Sequence, residues 1–365
     1  MSPIYLNGKF LAQRATGVQR AAREWVHALD ELLGTEPRAD DERWVLLHPP
    51  GVEPPRWRHI ENRRVGNAPW SLHAWEQWTL PLAALDGALV NLAGSAPWLA
   101  KTQLATIHDA AVWDIPEAYT WPFRLWYRVL FRRLARQSRG MLTVSDFSRS
   151  RLCARLGIAA DRFELIGNGC DHFARVCADE SVFERLGLGA RRYVLAVASA
   201  SPAKNLHRLI EAVDSLDPSL GVALVLVGGA NHRVFASHGA LAGPNVIVVG
   251  AVDDASLKAL MESAMVLAVP SLYEGFGLPP LEAMACGCPV IAARAAALPE
   301  TCGDAAWYVD PLSIQSIAVG LRCLAEDDQL RRSLIERGRM RAKRFTWQRG
   351  AATLRARAVQ VASEA

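Results

Sequence analysis

Short apolar runs alternate with amphipathic stretches along most of this chain, in two successive series. In the first series Ile4 to Asn7 reads as a strand. Thr16 to Leu33 reads as a helix that places Val18, Ala22, Trp25, Val26, Leu29 and Leu33 on one face. Further strands are expected at Trp44 to His48, Leu89 to Leu92, Leu104 to His108, Met141 to Val144 and Phe163 to Ile166. The second series places strands at Tyr193 to Val197, Val222 to Val227, Val246 to Val249, Val266 to Val269 and Val290 to Ala293, with helices near Leu206 to Leu216 and Ser256 to Ala264. Strand and helix in alternation imply a parallel sheet covered on both faces, because each parallel crossover needs a helix to return. Two series imply two such sheets in tandem, an α/β chain of two doubly wound domains.

A length of 365 residues is enough for both domains to bury their own cores. The polar stretch Asp171 to Asp179 marks the expected boundary. The division expected is 1–175 and 176–345, with 346–365 as a helix crossing back to the first domain. Leu330 to Val361 is rich in Arg and Ala and reads as helical. In doubly wound folds ligands bind beyond the carboxyl ends of the strands, so a tandem pair is expected to hold its ligand in the cleft between domains.

Composition narrows the chemistry. Hydrophobic residues make up 51% and charged ones 21%, which excludes disordered and collagen-like classes. The charge balance, 41 basic against 37 acidic, is too even for nucleic acid to be the default partner. The seven cysteines, Cys153, Cys170, Cys177, Cys286, Cys288, Cys302 and Cys323, include no Cys-x-x-Cys pair. They read as reduced thiols with no zinc site. The opening residues lack the pattern of a signal peptide, and no window reaches the roughly 18 apolar residues of a membrane span. A cytoplasmic location is expected, or one on the inner face of a membrane.

The segment after Val269 carries the most chemistry. It runs Pro270-Ser-Leu-Tyr-Glu274-Gly275-Phe276-Gly277-Leu278-Pro279-Pro280-Leu281-Glu282 and on to Gly287 and Pro289. The two glycines permit a tight turn, and the prolines suit the first turn of a helix. A glycine-rich turn leading into a helix N-terminus cradles phosphate. Glu282 is placed in that first turn and Glu274 in the preceding loop, so that the two carboxylates flank one ligand. No Asp-x-Asp occurs, so a metal held against phosphate is not expected, and Asp253 and Asp254 read as a helix start. Nor does a Gly-x-Gly-x-x-Gly follow the first strand, which sets aside a nicotinamide-dependent oxidoreductase.

The run from Glu274 to Val290, with two glutamates separated by seven residues, resembles the signature of the family-4 retaining glycosyltransferases of GT-B fold. The resemblance extends to Thr16-Gly17-Val18-Gln19-Arg20, Thr106-Ile107-His108-Asp109, Val144-Ser145-Asp146-Phe147-Ser148, Asn168-Gly169, Ser201-Pro202-Ala203-Lys204-Asn205-Leu206 and Arg344-Phe345-Thr346-Trp347. It implies that His108, Glu274 and Lys204 are catalytic. By the same resemblance Glu274 and His108 are expected to touch the transferred sugar, and Lys204 to meet the leaving diphosphate. It further implies that Ser199, Asn205, Gly275, Phe276, Gly277 and Leu278 line the donor site, that Glu282 holds the ribose, and that Gly17 and Arg20, at the first helix N-terminus, are binding positions facing the acceptor side of the cleft. Where many relatives carry an Arg near the phosphates, this chain has Ser199 and Ala203.

By resemblance, the reaction is retaining hexosyl transfer from a nucleotide-sugar, with GDP-mannose the first choice of donor. The acceptor is a glycan or a polyprenyl-linked saccharide of surface polysaccharide synthesis. No enzymic nucleophile, no metal and no other cofactor is expected. A scaffold without catalysis and a nucleotide-sugar epimerase are the alternatives. Finally, Trp121 to Arg139 interleaves Trp121, Phe123, Trp126, Tyr127 and Phe131 with five arginines before ending on Arg139. An ordinary amphipathic helix explains it, and peripheral contact with an anionic membrane face is the other reading.

Overall fold

A computed structural model describes residues 1–67, 71–189, 191–197, 199, 201–228 and 245–364. The chain forms two compact units, Met1–Gly169 with Thr346–Ala365, and Cys170–Phe345.

The first unit is a parallel sheet of seven strands: β1 (Ile4–Asn7), β2 (Trp44–His48), β3 (Glu61–Arg64), β4 (Ala88–Asn91), β5 (Gln103–Thr106), β6 (Gly140–Thr143) and β7 (Phe163–Leu165). Their order is β3-β2-β1-β4-β5-β6-β7. The chain thus works outward from β1 in one direction, then returns to β4 and continues in the other. The inner strands β1, β2, β4, β5 and β6 are buried along their whole length, as their continuous apolar runs require. Edge strand β3, with sequence Glu-Asn-Arg-Arg, is not foreshadowed in the sequence because a polar edge strand has no apolar run to reveal it.

The helix Gly17–Thr35 buries Ala22, Trp25, Val26, Leu29 and Leu33. The C-terminal helix Trp347–Ser363 lies against it, with Trp347 edge-on to Trp25 at 6.2 Å between ring centroids. Backbones approach closely there. A Cβ on Gly350 would stand 2.1 Å from the Gly167 carbonyl oxygen, so a side chain at this position would push the helix away. Arg355 ties the same helix to the first unit through Glu42 (2.8 Å) and Glu36 (3.0 Å). The helical run expected from Leu330 to Val361 is in fact two helices, Asp328–Ala342 and Trp347–Ser363, and the break falls where the chain passes from one unit to the other.

The second unit is a parallel sheet of six strands: β8 (Arg192–Val197), β9 (Val222–Val227), β10 (Val246–Gly250), β11 (Val266–Val269), β12 (Val290–Ala293) and β13 (Trp307–Val309), in the order β10-β9-β8-β11-β12-β13. Alternate residues build two cores. Leu195, Val225, Leu267 and Ala292 face the helices Asp254–Ser263 and Leu278–Ala285, whereas Val194, Leu224, Val266 and Ile291 face Leu206–Asp214 and Ile314–Glu326. Helices therefore cover both faces, and each fully buried Leu, Ile or Val contributes about 1.5–3 kcal/mol. The three-residue β13 is too short to be read from the sequence. Asp253 caps its helix as expected, accepting from the Ser256 N–H at 2.8 Å. Among the described residues, no helix is long and apolar enough to cross a membrane.

Candidate active site

In the second unit the strand order reverses between β8 and β11, neighbours in the sheet whose connections leave in opposite directions. The reversal opens a crevice at the carboxyl ends of those strands, the usual ligand position in such sheets. Both segments singled out in the sequence start there. After β8 the chain makes a 3₁₀ turn, Pro202–Lys204, passes through Asn205 at φ 57° and enters the helix Leu206–Asp214. After β11 it passes Pro270 to Gly277 and enters the helix Leu278–Ala285.

Across this crevice Lys204 Nζ donates to Glu274 Oε1 at 2.7 Å, and the two side chains keep 24% and 13% of their surface open to solvent. Ser271 Oγ donates to the same carboxylate oxygen at 2.8 Å. The loops beneath are laced together. The Leu272 N–H reaches the Ala203 carbonyl at 2.8 Å, and Asn205 Nδ2 donates to the carbonyls of Pro270 (3.0 Å) and Pro311 (2.7 Å). Asn205 is fully buried and its amide is committed to holding three loops in register. Asn is among the few residues that tolerate the left-handed backbone found here. Ala203 is buried beneath the Lys204 turn, and Ser199 is exposed.

Gly277 takes φ 103° as the residue before the helix, and a Cβ there would meet Leu298 at 2.9 Å. Only glycine makes this turn without strain. Leu278 opens the helix with Pro279 and Pro280 behind it, so the first-turn N–H groups that remain point out of the helix start. The Gly275-Phe276 turn is fixed by Thr301 Oγ1, which donates to the Phe276 carbonyl at 2.6 Å, and the Phe276 ring packs edge-on against Phe345.

Glu282 departs from expectation. The helix starts at Leu278, so Glu282 is its fifth residue and lies one turn beyond the helix start. It is 3% exposed, with Oε1 3.3 Å from Nε2 of the equally buried His172. The sequence offers no signal for His172, because its partner is far away in the chain. Ser271 is more legible, three residues before the glutamate it supports.

In the first unit His108 lies two residues past β5. Its Nε2 donates to the Leu92 carbonyl at 2.8 Å and its ring stacks on Trp25 at 5.8 Å. Burial lowers its pKa from 6.5 to about 4, so at neutral pH the imidazole is uncharged and, with the proton on Nε2, presents Nδ1 as an acceptor. Asp109 caps the next turn, accepting from the Ala111 N–H at 2.8 Å. Gly17 is exposed at the start of its helix, and the Arg20 N–H closes the first turn on the Thr16 carbonyl at 2.8 Å.

The first unit also holds a site that the sequence does not disclose. Its strand order reverses between β1 and β4, and there Lys9 Nζ meets Glu76 Oε2 at 2.6 Å with both side chains buried. Asn7 Nδ2 and Ser95 Oγ donate to the other Glu76 oxygen at 3.1 and 2.7 Å. Glu76 stands on a π-helical turn, Trp75–Thr79. The side chains of this knot converge from the end of β1, the π-helical turn and the loop after β4, so no local pattern announces it.

Family models match both units: Glycosyltransferase Family 4 over residues 15–172, and Glycosyl transferases group 1 over residues 179–341. The O-antigen chain mannosyltransferase B of Escherichia coli is 30% identical over 262 residues, covering 69% of this chain and 68% of that protein. The MMP alpha-(1->4)-mannosyltransferase of Mycolicibacterium hassiacum is 32% identical over 268 residues, covering 68% of this chain and 63% of its own length. Among solved structures, the Anabaena protein HepE in complex with UDP and glucose superposes with a TM-score of 0.73 at 19% identity, over 99% of this chain and 100% of that one, a likeness of fold. Two Rossmann-like sheets, the loops after β8 and β11 and these matches agree: the chain belongs to the family-4, group 1 glycosyltransferases of GT-B fold.

Proposed function

We propose that this protein is a retaining, metal-independent hexosyltransferase that takes mannose from GDP-mannose and delivers it to a glycan or lipid-linked acceptor in surface polysaccharide synthesis. The observation that carries the reading is the half-open Lys204–Glu274 pair at the β8/β11 reversal. A nucleoside diphosphate entering there brings two negative charges to a lysine already neutralised by a carboxylate. Lys204 exchanges Glu274 for phosphate oxygens, and Glu274, still fixed by Ser271, turns to the hydroxyls of the transferred sugar. The diphosphate oxygens also meet the N–H groups at the start of the helix Leu278–Ala285, a preorganised arrangement for the charge that grows as the glycosidic bond breaks. Glu282 is assigned to the ribose, with His172 Nε2 3.3 Å from one of its oxygens. His108 is assigned to a sugar hydroxyl as a neutral acceptor, which adds no positive charge near a developing oxocarbenium. Mannose is chosen because both relatives named above are mannosyltransferases.

The test is thermal stability of the purified protein with GDP, UDP, dTDP and ADP and their sugars, with and without EDTA. A shift confined to GDP and GDP-mannose that survives EDTA and is lost in Lys204→Ala is the expected result. A shift that EDTA removes overturns metal independence, and no shift with any nucleotide overturns the donor site.

A further inference from the structure

Beside the buried Lys9–Glu76 knot the first unit contains a cavity of about 460 Å³, walled by His73, Ala74, Trp78, Trp98, Leu99 and Trp126. That volume lies in the range of roughly 300–1,000 Å³ typical of sites for small molecules. The chemistry of its walls selects the occupant. Its polar members are Ser71, His73 and Gln77. Ser71 Oγ already accepts from the Ala74 N–H at 3.1 Å. The Gln77 amide is used at both ends, giving Nε2 to the Ala96 carbonyl (3.1 Å) and taking the Trp98 N–H on Oε1 (2.8 Å). His73 stands edge-on to Trp126 at 4.8 Å, and partial desolvation together with the Lys9 charge, opposed by Glu76, lowers its pKa. A saccharide placed here would lose water from its hydroxyls and find few partners, whereas a hydrocarbon loses nothing.

The surface around the cavity continues the theme. Ten large hydrophobic side chains are exposed among the described residues, and eight of them, from Trp78 to Val129, belong to the first unit. Trp78 and Leu99, at 66% and 57% exposure, belong at once to the cavity wall and to that surface. The helix Trp121–Gln137, which contributes Trp126, exposes Trp121, Leu125 and Val129 at four-residue spacing and then, on the same face, Arg132 and Arg136. No acidic residue occurs between Glu117 and Asp146. Arg124, Arg128 and Arg133 spend donors on backbone carbonyls, which leaves Arg132 and Arg136 as the exposed cations of this face. Tryptophan beside arginine is the composition that settles at a bilayer boundary, the ring at headgroup depth and the guanidinium on phosphate.

We infer that the cavity holds one hydrocarbon chain of a phosphate-headed membrane lipid, with the Trp121–Val129 stripe and Arg132 and Arg136 resting on the anionic bilayer that supplies it. The site is built from the first unit's own residues, so it stands or falls apart from the donor assignment.

The test uses the full chain without nucleotide. Decyl phosphate serves as a single-chain probe, read by tryptophan fluorescence and calorimetry. Vesicles of pure phosphatidylcholine or of a mixture with phosphatidylglycerol serve as the surface, read by co-sedimentation. Decyl phosphate should bind saturably at one site where inorganic phosphate does not. Ala74→Phe, which fills the cavity, should weaken it at least tenfold, and Leu99→Asp, at an exposed rim, should do the same with unchanged melting temperature. The double variant Arg132→Glu, Arg136→Glu should lower the fraction bound to phosphatidylglycerol vesicles at least fivefold. Equal binding of decyl phosphate to Ala74→Phe and Leu99→Asp, displacement of the probe by a free mannoside, or equal sedimentation with both vesicle types would overturn the inference. A failed nucleotide shift with intact decyl phosphate binding would instead overturn only the transfer reading.

Discussion

Each unit sets one lysine against one glutamate where its strand order reverses, yet the two pairs are built for different ends. Lys9 and Glu76 meet at 2.6 Å with 7% and 0% of their side chains exposed, and the carboxylate is held by Asn7 and Ser95 as well. Lys204 and Glu274 meet at 2.7 Å but stay 24% and 13% open. A closed, fully hydrogen-bonded pair cannot change partners without stranding a charge in a medium of low dielectric, so it holds geometry. A half-open pair can be exchanged for a ligand at small cost, since water compensates each group while the exchange takes place. The same two residue types thus serve as a fastening in one sheet and, on the proposed reading, as a binding site in the other, and depth decides which.

The sharpest way to break this comparison is to remove one glutamate at a time. Glu274→Ala should reduce transfer by about a thousandfold, on the order of 4 kcal/mol of transition-state stabilisation, while the melting temperature changes little. Retained transfer would mean that the open pair is structural too. Glu76→Ala should do the reverse, lowering unfolding free energy in denaturant titrations by roughly 3 kcal/mol because the Lys9 ammonium is left buried alone. Replacing both partners, Lys9→Met with Glu76→Leu, should recover most of the loss, and a single variant as stable as the wild type would show that the pair fastens nothing.

His108 adds a smaller effect in the first unit. Its folded pKa of about 4 lies below the unfolded value near 6.5, so the unfolded chain binds the proton first as the pH falls. The stability gained from a neutral His108 is complete above pH 6.5 and is lost as the pH drops from there towards 4. The decline is on the order of 2 kcal/mol once partial exposure is allowed for. Stability profiles of the wild type and His108→Phe should diverge in that window, and parallel curves would show that burial does not hold the ring neutral.

The smallest effect concerns the loop under the open pair. Ala296 stands at φ 52°, and the N–H of its neighbour Ala297 reaches the Glu274 carbonyl at 3.3 Å. Left-handed backbone costs an alanine about 1–2 kcal/mol, and the entropy that glycine loses on folding takes back about half of that. Ala296→Gly should therefore raise stability by roughly 0.5 kcal/mol without loss of nucleotide binding. A destabilised variant would mean that the strain is absent.

The loops proposed to hold the donor are legible in the sequence because their chemistry is contiguous. Glu274, the glycines and the helix-opening prolines occupy one short segment, and the turn and helix start follow from local backbone preferences alone. The limits of that reading are also local. The position of Glu282, one turn deeper than expected and against His172, depends on where the helix begins, which Gly277 and the packing of Leu298 decide. The lacing of three loops by Asn205 is likewise invisible in the sequence, since its two carbonyl partners at Pro270 and Pro311 follow different strands.

Hydrophobic periodicity by itself determined the class of fold, two parallel sheets clad by helices, because a strand buried on both faces must be apolar throughout and a helix on its face must be apolar along one side. The local pattern of residues marked the segment proposed to carry the donor chemistry, since a glycine turn before a helix places N–H groups in the same way wherever it occurs. Only the tertiary structure decided which lysine and glutamate lie open and which are sealed, that His108 is neutral, and that Trp78, Trp98 and Trp126 wall one cavity. Depth, dielectric and convergence of distant segments are properties of packing in three dimensions, and no single stretch of chain contains them.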